Sequence, residues 1–149
     1  MASGVWTLHN KIKKYIGDGT VDLDAHTFKC GLALSTSNIA TTSINGYAEV
    51  TNEHANANGY TTGGLALTSV TWVESSGTIT FDSADPVWTA SGGSITARFT
   101  FIYDDTVTAP VADPVVCHSL LDTTPADVTA TSGNTFTIQM NVSGIFTVA

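Results

Sequence analysis

Over residues 94–103, Ile95, Ala97, Phe99, Phe101 and Tyr103 alternate with Ser94, Thr96, Arg98 and Thr100. Successive side chains on a strand point to opposite faces, so this period of two predicts a half-buried β-strand. Further along the chain, apolar runs separated by Gly, Asn, Asp and Pro predict more short strands. Residues 28–34 place Phe28, Cys30, Leu32 and Leu34 on one face, and residues 47–51 form a weaker strand. Residues 65–73 and 78–81 flank Ser75-Ser76-Gly77 as a hairpin, and residues 87–89 follow Pro86 as a short strand. Residues 115–121 are continuously apolar enough to predict burial on both faces. Residues 135–142 turn Phe136, Ile138, Met140 and Val142 inward, and Gly144 separates them from a last strand over 145–148. Two stretches are long connections: the polar 52–64, with Gly59, Gly63 and Gly64, and 104–114, with Pro110 and Pro114.

The first element differs. Val5, Leu8, Ile12 and Ile16 follow three- and four-residue spacing, which predicts a short helix with Ser3 as its cap. Lys11, Lys13 and Lys14 lie towards its C-terminal end, where cations suit the helix dipole, and Gly17-Asp18-Gly19 stops it. Eight or nine strands at roughly ten-residue spacing, with no helix between them, predict an all-β antiparallel sandwich or barrel. The expected organisation is one domain over 1–149, with an N-terminal helix or arm over 1–17.

Composition narrows the function classes. The chain has 149 residues, 42% hydrophobic and only 12% charged, which describes a folded chain with a sizeable core. Threonine, β-branched and suited to a pleated surface, is its commonest residue. A net charge of −8 argues against a sequence-independent grip on nucleic acid or on an anionic membrane surface. No run approaches the roughly 18 apolar residues that span a bilayer, and residues 1–14 do not read as a signal peptide. The expected compartment is the cytoplasm, or a particle assembled there. Cys30 and Cys117 are too few and too far apart for a disulfide scaffold or zinc knuckle and read as reduced core thiols; a single bridge between them is left open.

Candidate chemistry is sparse. His9, His26, His54 and His118 belong to no recognisable motif, and strand neighbours such as Cys117 and His118 face opposite ways, so they cannot form a catalytic pair. His118 is expected to be satisfied or exposed. Asp18, Asp22 and Asp24 lack the order of a calcium loop, and of the carboxylate groupings Asp104-Asp105 is the better metal candidate. Acidic turn residues otherwise bond their own backbone. Gly63-Gly64 and Gly92-Gly93 precede no helix and no P-loop lysine. The expectation is therefore no enzyme, no metal and no cofactor. Trp72 and Trp88 read as core, whereas Trp6 packs either on its own sheet or on a partner. Arg98, the only Lys or Arg after residue 29, is expected to meet an acidic neighbour or partner.

Several stretches in order carry a resemblance. They are the Leu8-to-Tyr15 region, Gly19-Thr20-Val21-Asp22-Leu23-Asp24, Thr27-Phe28-Lys29-Cys30-Gly31-Leu32, Gly59-Tyr60-Thr61-Thr62-Gly63-Gly64 and Asp85-Pro86-Val87-Trp88. To these add Ile95-Thr96-Ala97-Arg98-Phe99 leading to Tyr103-Asp104-Asp105, then Phe136-Thr137-Ile138-Gln139-Met140-Asn141 and Gly144-Ile145-Phe146. Their succession resembles a family of small virion proteins of tailed bacteriophages that includes capsid cement (decoration) proteins. The resemblance implies a non-enzymatic, jelly-roll-like β-sandwich of about eight strands, present in many copies on the capsid surface. Its implied partners are the major capsid protein and copies of itself, as a dimer or trimer, with neither nucleic acid nor membrane. The residues expected at such contacts are Trp6, Lys11, Lys13 and Lys14, the loops 52–64 and 104–114 with Tyr60, Asp104 and Asp105, and Arg98. The alternative is a receptor- or glycan-binding module on a tail or fibre, with Tyr60 and Asp104-Asp105 as its contacts.

Overall fold

The computed structural model describes residues 4–124 and 126–149. In chain order the strands are β1 (Trp6–Leu8), β2 (Phe28–Ala33), β3 (Leu65–Ala66), β4 (Thr71–Ser75), β5 (Thr78–Asp82), β6 (Val87–Thr89), β7 (Ile95–Ala97), β8 (Phe99–Asp104), β9 (Val115–Leu120), β10 (Val128–Ala130), β11 (Thr135–Thr137) and β12 (Phe146–Val148). One short helix, α1 (Ile12–Gly17), follows β1. Several antiparallel sheets pack as a sandwich. The largest runs β1-β9-β8-β2-β3, a smaller one runs β12-β5-β4, and β10-β7 and β11-β6 are two-stranded.

The large sheet is buried on both faces. Towards the main core it presents Trp6, Phe28, Cys30, Leu32, Ile102 and Cys117, which meet Phe81, Trp88, Ile95, Phe136 and Phe146 from the other sheets. Its outer face carries Ala33, Phe101, Tyr103 and Val115, and the chain between β2 and β3 folds back over them with Ile39 and Ile44. Tyr47 lies flat on Tyr103, with ring centroids 4.5 Å apart and planes 11° from parallel. This second, smaller cluster explains why β2 is buried on both faces and not only along the row of Phe28, Cys30 and Leu32. Gly31 sits opposite Phe101 across the β2–β8 ladder. A Cβ there would lie 2.4 Å from Cζ of Phe101, so the missing side chain makes room for the ring.

Several sequence expectations are corrected. The 1–17 helix is confined to Ile12–Gly17, because Trp6 and Leu8 alternate into the core on a strand paired with β9 and leave Val5 outside. The expected cap, Ser3, lies outside the described residues. Residues 47–51 form a 3-10 turn at Tyr47–Glu49, not a strand. The strand expected over 65–73 is two strands in different sheets, and Trp72 is only half-buried. The hairpin itself stands, as β4 and β5 around Ser76-Gly77. The strand expected over 135–142 ends at Thr137, and Val142 is fully exposed. β10 was not anticipated.

The largest correction concerns residues 94–103. The alternation predicts one strand with one buried face. Instead the chain bends at Arg98 and passes from the β10-β7 pair into the large sheet. Ile95 and Ala97 point into the main core, whereas Phe101 and Tyr103, two and three positions further along the same parity, point to the outer cluster. Thr100 and Ile102 take the main-core side in their place and are fully buried. Strands of sandwiches turn corners by such bends where they change sheet. The backbone of Arg98 stays paired on both sides, to Ala33 and Leu121.

Candidate functional site

The connection 52–64 is held by one carboxylate. Glu53 accepts hydrogen bonds from the hydroxyls of Tyr47 (2.5 Å) and Tyr60 (2.6 Å) and from the backbone N–H of Gly63 (2.7 Å). The Tyr60 hydroxyl in turn accepts the N–H of Leu32 at 3.0 Å, so its own proton is committed to Glu53. Burial first, and the Glu53 carboxylate second, push the Tyr60 phenol well above its usual range. Tyr103 donates to the carbonyl of Gly63 at 2.8 Å. Gly64 has φ +74°, and a Cβ there would stand 1.9 Å from the carbonyl oxygen of Cys30, so only glycine lets the loop close on β2. The hydroxyls of Tyr47, Tyr60 and Tyr103 and the N–H of Gly63 are each answered by the protein itself. The cluster is a fastening, and it leaves Tyr60 no face for a ligand.

The other expected contact residues separate in the same way. Trp6 is buried against the main core, so of its two expected placements the chain uses its own sheet. Asp104 is wholly buried at the end of β8, where it meets His26 Nδ1 at 2.7 Å and accepts the N–H groups of Thr106 and Val107. It is neither a loop contact nor free to ligate a metal, and its neighbour Asp105 pairs with Lys29 at 3.0 Å. Arg98 donates to Asp127 at 2.8 Å, the acidic neighbour its isolation in sequence called for. Lys14 pairs with Asp18 on the surface, which holds that carboxyl down at about 2. Lys11 and Lys13 are exposed and, among the described residues, are the cations without an ion-pair partner.

Two features escaped the sequence. His9 and His118 are buried and joined, Nε2 to Nδ1, at 3.1 Å, although 109 positions apart. The second is an open groove between the outermost strands of two sheets. β1 ends the large sheet and β12 ends the three-stranded one, and an open groove of about 360 Å3 is lined by residues 4–6 on one side and 143–147 on the other, with Asn141. Val5 is 90% exposed on this rim, and Asn141 continues it into a second groove that contains Val142. Edge strands leave backbone N–H and C=O groups ready to pair with another chain.

The thiols are inert by position. Cys30 and Cys117 lie on either side of Ile102 across three strands, about 9.5 Å apart at two strand spacings. That is beyond the roughly 7 Å a disulfide can span, and both are free. Thr100 donates to the Gly31 carbonyl, so the Cys30 thiol is the donor to Thr100 Oγ1 at 3.1 Å. Among the described residues no group of three or more His, Cys, Asp or Glu could hold a metal ion, and no helix is long and apolar enough to cross a membrane. In comparisons with known proteins, no family model matches the chain, and no curated protein or solved structure is significantly similar to it.

Proposed function

We propose that the chain is a structural virion protein of a tailed bacteriophage, a capsid cement protein that associates with its own copies and binds across neighbouring major capsid subunits. The succession of motifs from Leu8 to Phe146 supports this reading, and the family's jelly-roll-like connectivity goes with it. The observation that carries it is the exposed rim. Among the described residues, exposed Val5 and Val142 beside the groove between the outermost strands β1 and β12, together with the exposed Lys11 and Lys13, which have no ion-pair partner, are what the molecule offers to a partner. Each such contact is modest, but many copies on a shell add up through multivalency. Trp6 is in the core and lies outside this surface, whereas Lys14 remains on it beside its pair with Asp18.

The test is a decoration assay on shells lacking the protein, imaged by cryo-electron microscopy. A variant carrying Val5→Glu, Val142→Glu, Lys11→Glu and Lys13→Glu should keep the wild-type melting temperature. Its affinity for shells should fall by about tenfold or more, the equivalent of at least one lost contact of about 1.4 kcal/mol. Full occupancy by this variant, or wild-type protein found on the tail, would sink the proposal. The glycan-binding alternative depends on Tyr60, Asp104 and Asp105; the first two are buried and the third is paired, so nothing among the described residues favours it.

A further inference from the structure

His118 stands on the outer face of the large sheet, opposite Phe101 on β8 and Thr7 on β1. His9, just past β1, stands edge-on to it with ring planes 86° apart. The hydrogen-bond roles of the pair follow from one fixed acceptor. His9 Nδ1 lies 2.9 Å from the carbonyl oxygen of Ile44, and a carbonyl only accepts, so the proton is on His9 Nδ1. Neutral His9 then offers a lone pair at Nε2, and His118 must donate to it from Nδ1. The chain of donors runs His118 to His9 to Ile44. One proton can be added at His118 Nε2 without breaking it, but only by placing a charge in a buried site. A second proton sets two N–H donors against each other.

What the chain holds down is the cover of the outer cluster. Residues 39–44 are tied to this end of the molecule by the His9–Ile44 bond and by Asn10 N–H to the Thr42 carbonyl at 2.9 Å. Ile39 and Ile44 sit on Phe101 and Val115 beneath. We propose that the His9–His118 pair is an acid-sensitive latch that fastens residues 39–44 over the outer face of the large sheet.

Among the described residues no carboxylate bonds to or pairs with either ring. On β1 and the turn after it, the nearest ionisable group is Lys11, which is exposed. On β9, Cys117 faces the opposite side. On β8, the Tyr103 hydroxyl is bound to Gly63 and Asp104 to His26. On the cover, Tyr47 is bound to Glu53, and Glu49 is exposed with its carboxylate towards the Asn45 N–H. Burial, then the neighbouring His9, press His118 down to about 4; burial also lowers His9, against the carbonyls of Ile44 and Ile39. With folded values below the unfolded 6.5, the unfolded chain takes up protons that the folded chain refuses. The latch is therefore fully closed above pH 6.5 and weakens as pH falls towards 4.

Imidazole nitrogen NMR on the wild-type protein tests this directly. At pH 7 both rings should be neutral and carry their proton on Nδ1. On acidification His118 should titrate well below 6.5, and the amide signals of Thr42 and Ile44 should shift with the same midpoint, before the rest of the fold. His118→Asn replaces the Nδ1 donor with a non-titrating amide, and should keep the cover closed at pH 7 while flattening its response to acid. An Nε2–H tautomer on either ring, titration near 6.5, or a cover that moves only with global unfolding would each overturn the latch. So would a folded His118→Asn variant as acid-sensitive as wild type. If that variant does not fold, the wild-type titration alone decides.

Discussion

Replacing Glu53 by alanine should cost the fold about 3–5 kcal/mol, an unusual loss for a carboxylate on a surface loop. Removing the carboxylate strands the Tyr60 hydroxyl, whose ring is only 2% exposed and whose lone pair is already used by Leu32 N–H. A buried donor left without an acceptor costs about 1–3 kcal/mol, and the lost bond to a charged acceptor stands at the upper end of that range. Tyr47 and Gly63 are half-buried and can turn to water, so each adds only about 0.5–1 kcal/mol. Glu53→Gln is the informative partner. Its carbonyl oxygen still accepts from Tyr60 and Gly63, and the Tyr47 hydroxyl can rotate to accept from the amide, so the loss should be about 1–2 kcal/mol. Urea unfolding followed by tryptophan fluorescence measures both as midpoint shifts at constant slope. Combining Glu53→Ala with Tyr60→Phe should recover about 1–2 kcal/mol relative to the sum of the single losses, since the two side chains share one bond. Asp24→Ala, on the exposed surface, is the control and should stay within about 0.5 kcal/mol of wild type. A Glu53→Ala loss no larger than that of the control, or equal losses for Ala and Gln, would refute the fastening role.

Two further outcomes test the packing of the large sheet. Gly31→Ala forces a Cβ against the Phe101 ring and should cost about 2–3 kcal/mol by chemical denaturation, with part of it restored by Phe101→Leu; a neutral Gly31→Ala would mean the ring does not lie over β2. Cys30, pushed to about 12 by burial, and Cys117, also raised by burial, should both resist a thiol reagent at pH 8 until the protein unfolds. Rapid labelling of either in the folded protein would contradict their burial.

Some of this structure was legible because local pattern and tertiary demand agree. The β4–β5 hairpin needs only alternation and a Ser76-Gly77 turn, with both turn residues at positive φ. β9 is buried on both faces, His118 and Ser119 included, because both faces are covered. Arg98 was bound to find a carboxylate in a chain with 13 acids and five cations. At the N-terminus two periods compete: Val5, Leu8, Ile12 and Ile16 fit a helix, while Trp6 and Leu8 fit a strand. Nothing local reveals that β9 offers a free edge to pair with. Tyr60 and Asp104 were misplaced for a related reason. Each lies in a polar stretch that reads as surface, but Tyr60 finds Leu32 and Glu53, and Asp104 finds His26. Those partners are set by how sheets stack, not by spacing.

The bend at Arg98 ties these successes and failures together. Period-two alternation reports which residues share a side of a strand only while the strand stays in one sheet. Ile95 to Tyr103 keeps its alternation throughout, yet changes sheet midway, so the same parity serves the main core before Arg98 and the outer cluster after it. The aromatic rings that looked like one buried stripe instead give the large sheet its second buried face. That face requires a cover, which the 34–51 segment provides, and the cover requires fastenings, which Glu53 and the two histidines provide. Tyr60 and Asp104, which sequence offered as contacts, are thus consumed in closing the molecule, whereas Lys11 and Lys13 stay exposed. What the described residues leave for a partner is the exposed rim around Val5 and Val142, where the alternation carries no signal at all.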